Sequence, residues 1–301
     1  MNIIDMHKKF SIGLTLGESL EDIIEFLDQY EKWLSSVYFS VPFGRKFYSR
    51  AKLAEEYDGN EDKLLHVLKC IREYNIRLEL TLNTRDLTEE ELASAVSYCR
   101  DKGFDPEEIV CLREYAGFLR RLCPQSEIKY SFNNHDINMQ HIDKNFDTVV
   151  IGKALLRNHD KIQLLAQDYN ITYMLNNGCS FMCGGNCGAH NCKDVFDEDI
   201  RINGLDKVYA RSSIFPSELL YILENWEDAV NYKFKISNRP WGLDFTKKAL
   251  DSYISLEDPI EKMKKDQSLL RVFCATVPIS ERVYELDVDR IMEYKKNMKM
   301  I

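Results

Sequence analysis

The chain has 301 residues, 45% of them hydrophobic, and a formal net charge of −9. This length and apolar content suffice for one large domain with a sizeable core, and the acidic balance argues against a broad nucleic-acid-binding surface. No run of about 18 apolar residues predicts a membrane-spanning helix, and the first residues do not have the pattern of a secretory signal. We therefore expect a cytoplasmic protein, in which clustered cysteines hold a metal or perform redox chemistry.

Eight short segments rich in β-branched and aromatic residues alternate with amphipathic helical stretches. The predicted strands are residues 10–16, 36–43, 76–83, 108–114, 127–133, 147–152, 171–177 and 207–212. Repeated strand–helix units indicate parallel strands joined by helical crossovers. Eight such units predict a (β/α)₈ TIM-barrel-like single domain, and an open doubly wound sheet is the competing arrangement.

Two of the helical stretches carry clear start signals. Ser19 followed by Asp22 predicts an N-cap with a carboxylate in the first turn, and Thr88 followed by Glu91 has the spacing of a capping box. Gly103 is placed as a helix stop.

The pattern changes near the end of the chain, where charged helical stretches replace the alternation. We place the barrel at residues 1–242 and a small C-terminal helical extension, packed on the barrel, at residues 243–301. The Lys-rich end is typical of a solvated helix face.

Residues 176–192, NNGCSFMCGGNCGAHNC, contain four of the nine cysteines, and this segment follows the seventh predicted strand. Closely spaced cysteines in a glycine-rich loop are typical of an iron–sulfur cluster or of a closed zinc site, and the sequence leaves both open. The predicted ligands are Cys179, Cys183, Cys187 and Cys192, with Cys111 and His190 as substitutes.

Active sites of such barrels lie at the carboxyl ends of the strands, so polar residues at predicted strand ends are candidates. Cations and amides would suit a small or tethered anionic substrate. The candidates for substrate binding are Arg211, Arg239, Asn133, Asn83 and Asn176, and those for catalysis are His135, Glu114 and Lys235.

Residues 211–254, RSSIFPSELLYILENWEDAVNYKFKISNRPWGLDFTKKALDSYI, resemble the signature region of the peptidase U32 family. Pro216 to Leu219 matches the family's helix start, Lys235 to Arg239 its K-I-E-G-R strand, and Tyr253 its last tyrosine. The resemblance implies a TIM barrel with a cysteine-bound [4Fe-4S] cluster. It also implies oxygen-independent hydroxylation of RNA bases or quinone precursors rather than proteolysis.

These observations favour an iron–sulfur redox or hydroxylation enzyme, or a subunit of one that works with a partner protein. The main alternative is a zinc-stabilised barrel that serves as a binding or scaffold subunit. A U32-type peptidase comes third, because the sequence offers no Ser/His/Asp or Cys/His arrangement and no HExxH motif.

Overall fold

Eight parallel strands close into a barrel in the computed structural model of the chain. The structure describes residues 4–48, 55–131, 142–152, 155–156, 158–176, 216–237 and 242–257, together with residues 198, 201, 202 and 214. Each strand pairs in parallel with the next one along the chain, and the eighth pairs with the first. This topology confirms the (β/α)₈ prediction. The strands are β1 Phe10–Gly13, β2 Leu34–Phe39, β3 Arg77–Leu82, β4 Glu108–Cys111, β5 Glu127–Ser131, β6 Thr148–Ile151, β7 Asn170–Met174 and β8 Lys233–Ile236.

Helices of the described chain follow most of the strands and cover the outside of the barrel. They are α1 Leu20–Tyr30, α2 Glu61–Glu73, α3 Glu89–Asp101, α4 Ala116–Leu122, α5 His159–Ala166, α6 Pro216–Asn225 and α7 Gly242–Ser255. None of these described helices combines the length and the apolar character that crossing a membrane requires.

The predicted helix signals are confirmed at both N-termini. The Ser19 hydroxyl accepts from the Asp22 N–H at the start of α1, 3.0 Å away. At the start of α3, the Thr88 hydroxyl accepts from the Glu91 N–H and the Glu91 carboxylate accepts from the Thr88 N–H, which completes a capping box. Gly103, two residues beyond α3, has a φ of +79°, a left-handed conformation that favours glycine.

The eighth strand lies elsewhere than predicted. Residues 207–212 fall outside the described residues, and the strand that closes the barrel is β8, which pairs with both β7 and β1. Its four residues, KFKI, alternate charged and apolar side chains, and the strand is too short to stand out as a β-rich run.

The predicted domain boundary at residue 242 falls at the start of α7. Residues 258–301, which make up most of the predicted C-terminal extension, lie outside the described residues.

The two faces of the barrel strands differ in chemistry. The outer face is apolar: the Phe10 and Phe234 rings are in contact, and residues such as Leu80 and Ile109 join one hydrophobic core with helix residues such as Phe26. The inner face instead carries hydroxyl and charged side chains. TIM-barrel interiors are usually filled by branched apolar side chains, so a polar lumen marks a departure that calls for a functional explanation. The buried polar residues on this face include Ser11, Ser36, Glu79, Glu108, Lys129, Thr148, Thr172 and Lys235.

Candidate functional site

Seven charged side chains inside the barrel form what we call the luminal charge network. They come from four strands, β3, β4, β5 and β8, and occupy the first and third positions of β3, β5 and β8 and the first position of β4. Because the side-chain period of a strand is two, these positions share the inner face. The members are Arg77, Glu79, Glu108, Glu127, Lys129, Lys233 and Lys235.

The lower layer of the network lies where the strands begin. The Arg77 guanidinium is 2.8 Å from the Glu108 carboxylate and 2.7 Å from that of Glu127. Lys233 reaches Glu108 across the barrel at 3.3 Å, and the Thr148 hydroxyl donates to Glu127 at 2.5 Å. Each carboxylate of this layer therefore has a cation within ion-pair distance.

The upper layer lies one strand repeat nearer the carboxyl end. The Lys129 ammonium donates to Glu79 at 2.9 Å and also contacts Glu108. Glu79 receives a second ammonium, that of Lys235. The Lys235 nitrogen also lies 3.9 Å from the centre of the Tyr38 ring, a cation–π contact. Glu79 is thus shared by two lysines from opposite sides of the lumen.

The charges of the network stabilise one another. Burial opposes ionisation of Glu108, but the cations of Lys129, Lys233 and Arg77 outweigh it and hold the pKa of this carboxyl well below its usual range. Burial alone would lower the pKa of Lys129, whereas the carboxylates of Glu79 and Glu108 raise it above its ordinary value. The network therefore favours the charged forms of Glu108 and Lys129.

The carboxyl end of the barrel carries amides and hydroxyls. The Asn83 amide, just after β3, donates to the Ser131 hydroxyl at the end of β5, 3.0 Å away. After β7, Asn176 is tied to the residue that follows β8: the Ser237 N–H donates to the Asn176 side-chain oxygen and the Ser237 hydroxyl donates to the Asn176 carbonyl, each at 2.7 Å. Ser131, Asn83 and Ser237 are partly exposed, so this end of the lumen is open to solvent.

Three of the predicted site residues lie at this end of the barrel. Lys235 belongs to the upper layer of the network, and Asn83 and Asn176 lie above it at the strand ends. Glu114 differs: it is exposed and lines an open surface depression beside α4 with Arg113 and Arg121, rather than the lumen. The remaining candidates lie outside the described residues, namely His135, Asn133, Arg211, Arg239, Cys179, Cys183, Cys187, Cys192 and His190.

Cys111 does not suit the role of substitute metal ligand. It is the last residue of β4, is 0% exposed and belongs to the hydrophobic core of the outer face. Burial raises the pKa of its thiol, and its position among apolar side chains directs it to the helix layer and not to the lumen. Within the described part of the chain, no three His, Cys, Asp or Glu side chains converge as a metal site would require.

The sequence analysis missed Glu79, Glu108 and Lys129. The signal was present: charged residues recur at every second position in RLELTL and EIKYS, two strands of a barrel whose helices cover the outer face. Parallel strands buried on both faces are usually continuous apolar runs, so this alternation indicates a polar lumen.

Comparisons with known proteins find no matching family and only distant structural similarity. The sequence matches no known protein family and no curated protein. Among solved structures, the chain is similar to a GH113 β-1,4-mannanase, with 10% identity over 77% of this chain and 88% of that one and a TM-score of 0.42. It is also similar to a monomeric dihydrodipicolinate synthase variant, with 14% identity over 97% and 98% of the two chains and a TM-score of 0.39. It is the closed barrel of eight parallel strands that defines the chain as a member of the (β/α)₈-barrel class.

Proposed function

We propose that the chain is an oxygen-independent redox or hydroxylation enzyme, or a subunit of one, which acts on a small or tethered anionic substrate at the carboxyl end of its barrel. In this proposal a [4Fe-4S] cluster is bound by the thiolates of the four-cysteine segment. The ligands would be Cys179, Cys183, Cys187 and Cys192.

The observation that carries the proposal is the anchoring of Asn176. This residue is buried and makes two hydrogen bonds of 2.7 Å to Ser237, at the carboxyl end of the barrel. Cys179 follows only three residues later in the sequence. The cysteine segment therefore starts from the face where barrel enzymes have their active sites, which supports a role in the reaction over a purely structural one.

The donor set suits the cofactor chemically. Four thiols within fourteen residues are a sufficient ligand set for a [4Fe-4S] cluster, and also for a zinc ion. A bound cluster supplies electron transfer or Lewis acidity. An enzyme with an iron–sulfur cluster at the carboxyl end of its barrel also needs protein side chains at that end to bind the substrate.

The described residues supply such groups. Lys235 lies in the upper layer of the lumen, where its ammonium contacts the Glu79 carboxylate below the strand ends. The Asn83 amide has a second N–H besides the one donated to Ser131, and this N–H is available to a substrate oxygen. In this proposal these residues bind and orient the substrate, and the cofactor supplies the electron-transfer chemistry.

Iron, sulfide and zinc analysis of the anaerobically purified full chain tests the proposal. We expect about four iron and four sulfide per chain, a brown colour, and loss of most of the iron in Cys183→Ala. Cys70→Ala is the matched control, because Cys70 lies half-buried on α2 and is not one of the four clustered cysteines.

The outcomes separate the candidate functions. A colourless protein with stoichiometric zinc would contradict the redox proposal and support a zinc-stabilised scaffold. Peptide hydrolysis that persists after removal of the metal would support a peptidase. Iron retained at wild-type levels in Cys183→Ala would show that the cluster, if one is bound, has other ligands.

A further inference from the structure

The depression beside α4, on the outside of the barrel, combines charges of both signs with an aromatic ring. Its volume is about 510 Å³, and small-molecule sites have volumes of about 300 to 1,000 Å³. We call it the α4 depression. The proposed function assigns no role to it. The lining residues include Glu89, Arg113, Glu114, Gly117, Phe118 and Arg121.

The glycine of the α4 depression is not explained by the fold. Gly117 lies in α4 and does not have a positive φ. A β-carbon added to Gly117 would lie 3.6 Å from the side-chain nitrogen of Asn145 and 3.8 Å from the Arg121 guanidinium, both ordinary contact distances. Glycine inside a helix is less stable than alanine, and residues that break such a local rule are expected at functional sites. The missing side chain keeps the depression open, which points to a ligand.

Four charged side chains of the depression are available to a ligand. Arg113 and Glu114 are exposed, and neither side chain forms an ion pair or a hydrogen bond with another described residue. Arg121 and Glu89 approach each other only to 3.9 Å, and their side chains are 71% and 67% exposed. Because such an exposed pair contributes little to stability, a ligand can replace it at small cost.

These charges favour a ligand that carries both signs. Asp143 also lines the depression, but its Oδ1 accepts from the backbone N–H and the side-chain amide of Asn145, at 2.9 and 2.8 Å. The other charged residues among the described lining residues supply two guanidinium groups and two carboxylates. A purely anionic or purely cationic ligand leaves one of these sets unmatched, whereas a zwitterion pairs with both.

We propose that the α4 depression binds a free amino acid with an apolar side chain. The α-carboxylate of the ligand pairs with an arginine, whose guanidinium presents two parallel N–H donors to a carboxylate. Its α-ammonium pairs with a glutamate. Both groups of an amino acid are attached to one carbon, so they require opposite charges that lie close together, as Arg121 and Glu89 do.

Phe118 provides the contact for the apolar side chain of the ligand. Its ring is partly exposed in the depression, and the Arg121 guanidinium lies 6.0 Å from the ring centre. A cation and an apolar surface therefore adjoin in the site. An aromatic side chain such as that of phenylalanine packs well against a phenylalanine ring.

Saturation-transfer NMR of the full chain with L-phenylalanine tests the site. Phenylacetate, which lacks the ammonium group, and phenethylamine, which lacks the carboxylate, are the comparison ligands at equal ionic strength. Because the depression is open and the ligand small, we expect a Kd for phenylalanine of about 1 mM. Loss of either charged group should raise the Kd about fivefold or more.

Three variants remove separate parts of the site. Gly117→Leu fills the depression with a side chain that suits a helix, and we expect the Kd for phenylalanine to rise about tenfold or more. Arg113→Gln and Glu114→Gln each remove one charge at an exposed position and should raise the Kd severalfold. These two variants carry the test if Gly117→Leu fails to fold.

Arg85→Gln and Glu90→Gln are the matched controls, because both residues are exposed and neither lines the depression. They should bind phenylalanine with unchanged Kd. Three results would overturn the inference: equal binding of phenylalanine and either comparison ligand, an unchanged Kd in Gly117→Leu, or equal effects of the charge variants and their controls. None of these variants changes a predicted cluster ligand, so the iron content tests the proposed function separately.

Discussion

Lys129 and Glu79 form an ion pair of 2.9 Å although their strands are not neighbours in the barrel, since β4 lies between β3 and β5. Both side chains are at most 1% exposed. The pair therefore reaches past β4 on the inner face and connects β3 to β5 through the interior of the barrel. Charge pairing of this kind takes the place of the apolar layers that usually fill a TIM barrel.

Removing the central cation should destabilise the protein strongly. Lys129→Met leaves Glu79 and Glu108 buried with fewer cations, and loss of one partner of a buried ion pair costs about 3 to 5 kcal/mol. We expect about 3 kcal/mol, because Lys235 still contacts Glu79 and Arg77 still contacts Glu108. Urea unfolding measures the change in the free energy of unfolding.

An exposed lysine provides the control for this variant. Lys69 on α2 is 73% exposed, and its ion pair with Glu73 is 4.0 Å long. Lys69→Met should change the free energy of unfolding by less than about 0.5 kcal/mol. Equal effects of Lys69→Met and Lys129→Met would contradict the central role of Lys129.

Acid should weaken the fold through the carboxylates of the network. The cations around Glu108 hold its pKa below the ordinary value of 4.5 in the folded chain. Its stabilising contribution is therefore fully present above that pH and is lost as the pH falls towards the folded pKa. Below pH 4.5 the unfolded chain takes up the proton first, and the free energy of unfolding decreases.

Glu108→Gln tests this dependence. At pH 7 we expect it to lower the free energy of unfolding by about 3 kcal/mol, because three cations lose their shared carboxylate. Between pH 4.5 and pH 3 its free energy of unfolding should fall less steeply than that of the wild type. Parallel curves over this range would show that Glu108 does not contribute to the acid sensitivity.

The capping box at the start of α3 should contribute measurably to stability. Thr88→Ala removes the hydroxyl that accepts from the Glu91 N–H at 3.2 Å, and loss of such a cap costs about 1 kcal/mol. Thr88→Ser retains the hydroxyl and should restore most of the loss. A Thr88→Ser variant as unstable as Thr88→Ala would point to the methyl group instead.

Local signals made the fold predictable from the sequence. The first seven predicted strands overlap β1 to β7, and the caps at Ser19 and Thr88 lie where the spacing placed them. The eighth strand was placed wrongly because KFKI, with lysines at its first and third positions, does not look like a buried strand. Only the barrel topology explains those lysines, since they point to carboxylates on β3 and β4.

The site was less predictable for a related reason. Lys235, which is the first residue of a family-like strand motif, was identified together with Asn83 and Asn176 as a candidate at a strand end. Glu79 and Lys129 are separated by fifty residues in the sequence and become neighbours only when the barrel closes. The alternation of charges in each strand indicates a polar inner face, but which charges pair follows from the topology and not from any local pattern.

The hydrogen bonds between Asn176 and Ser237 should help to keep the proposed cofactor bound. Asn176→Ala leaves the partly buried Ser237 N–H without its 2.7 Å acceptor, which should cost about 1 kcal/mol. If the cysteine segment binds a cluster, loosening its start should also speed the release of iron to a chelator severalfold. Asn83→Ala is the control, because it removes a rim hydrogen bond to Ser131 on the far side of the barrel. Equal rates of iron release in the two variants would show that the hydrogen bonds between Asn176 and Ser237 do not help to keep the metal bound.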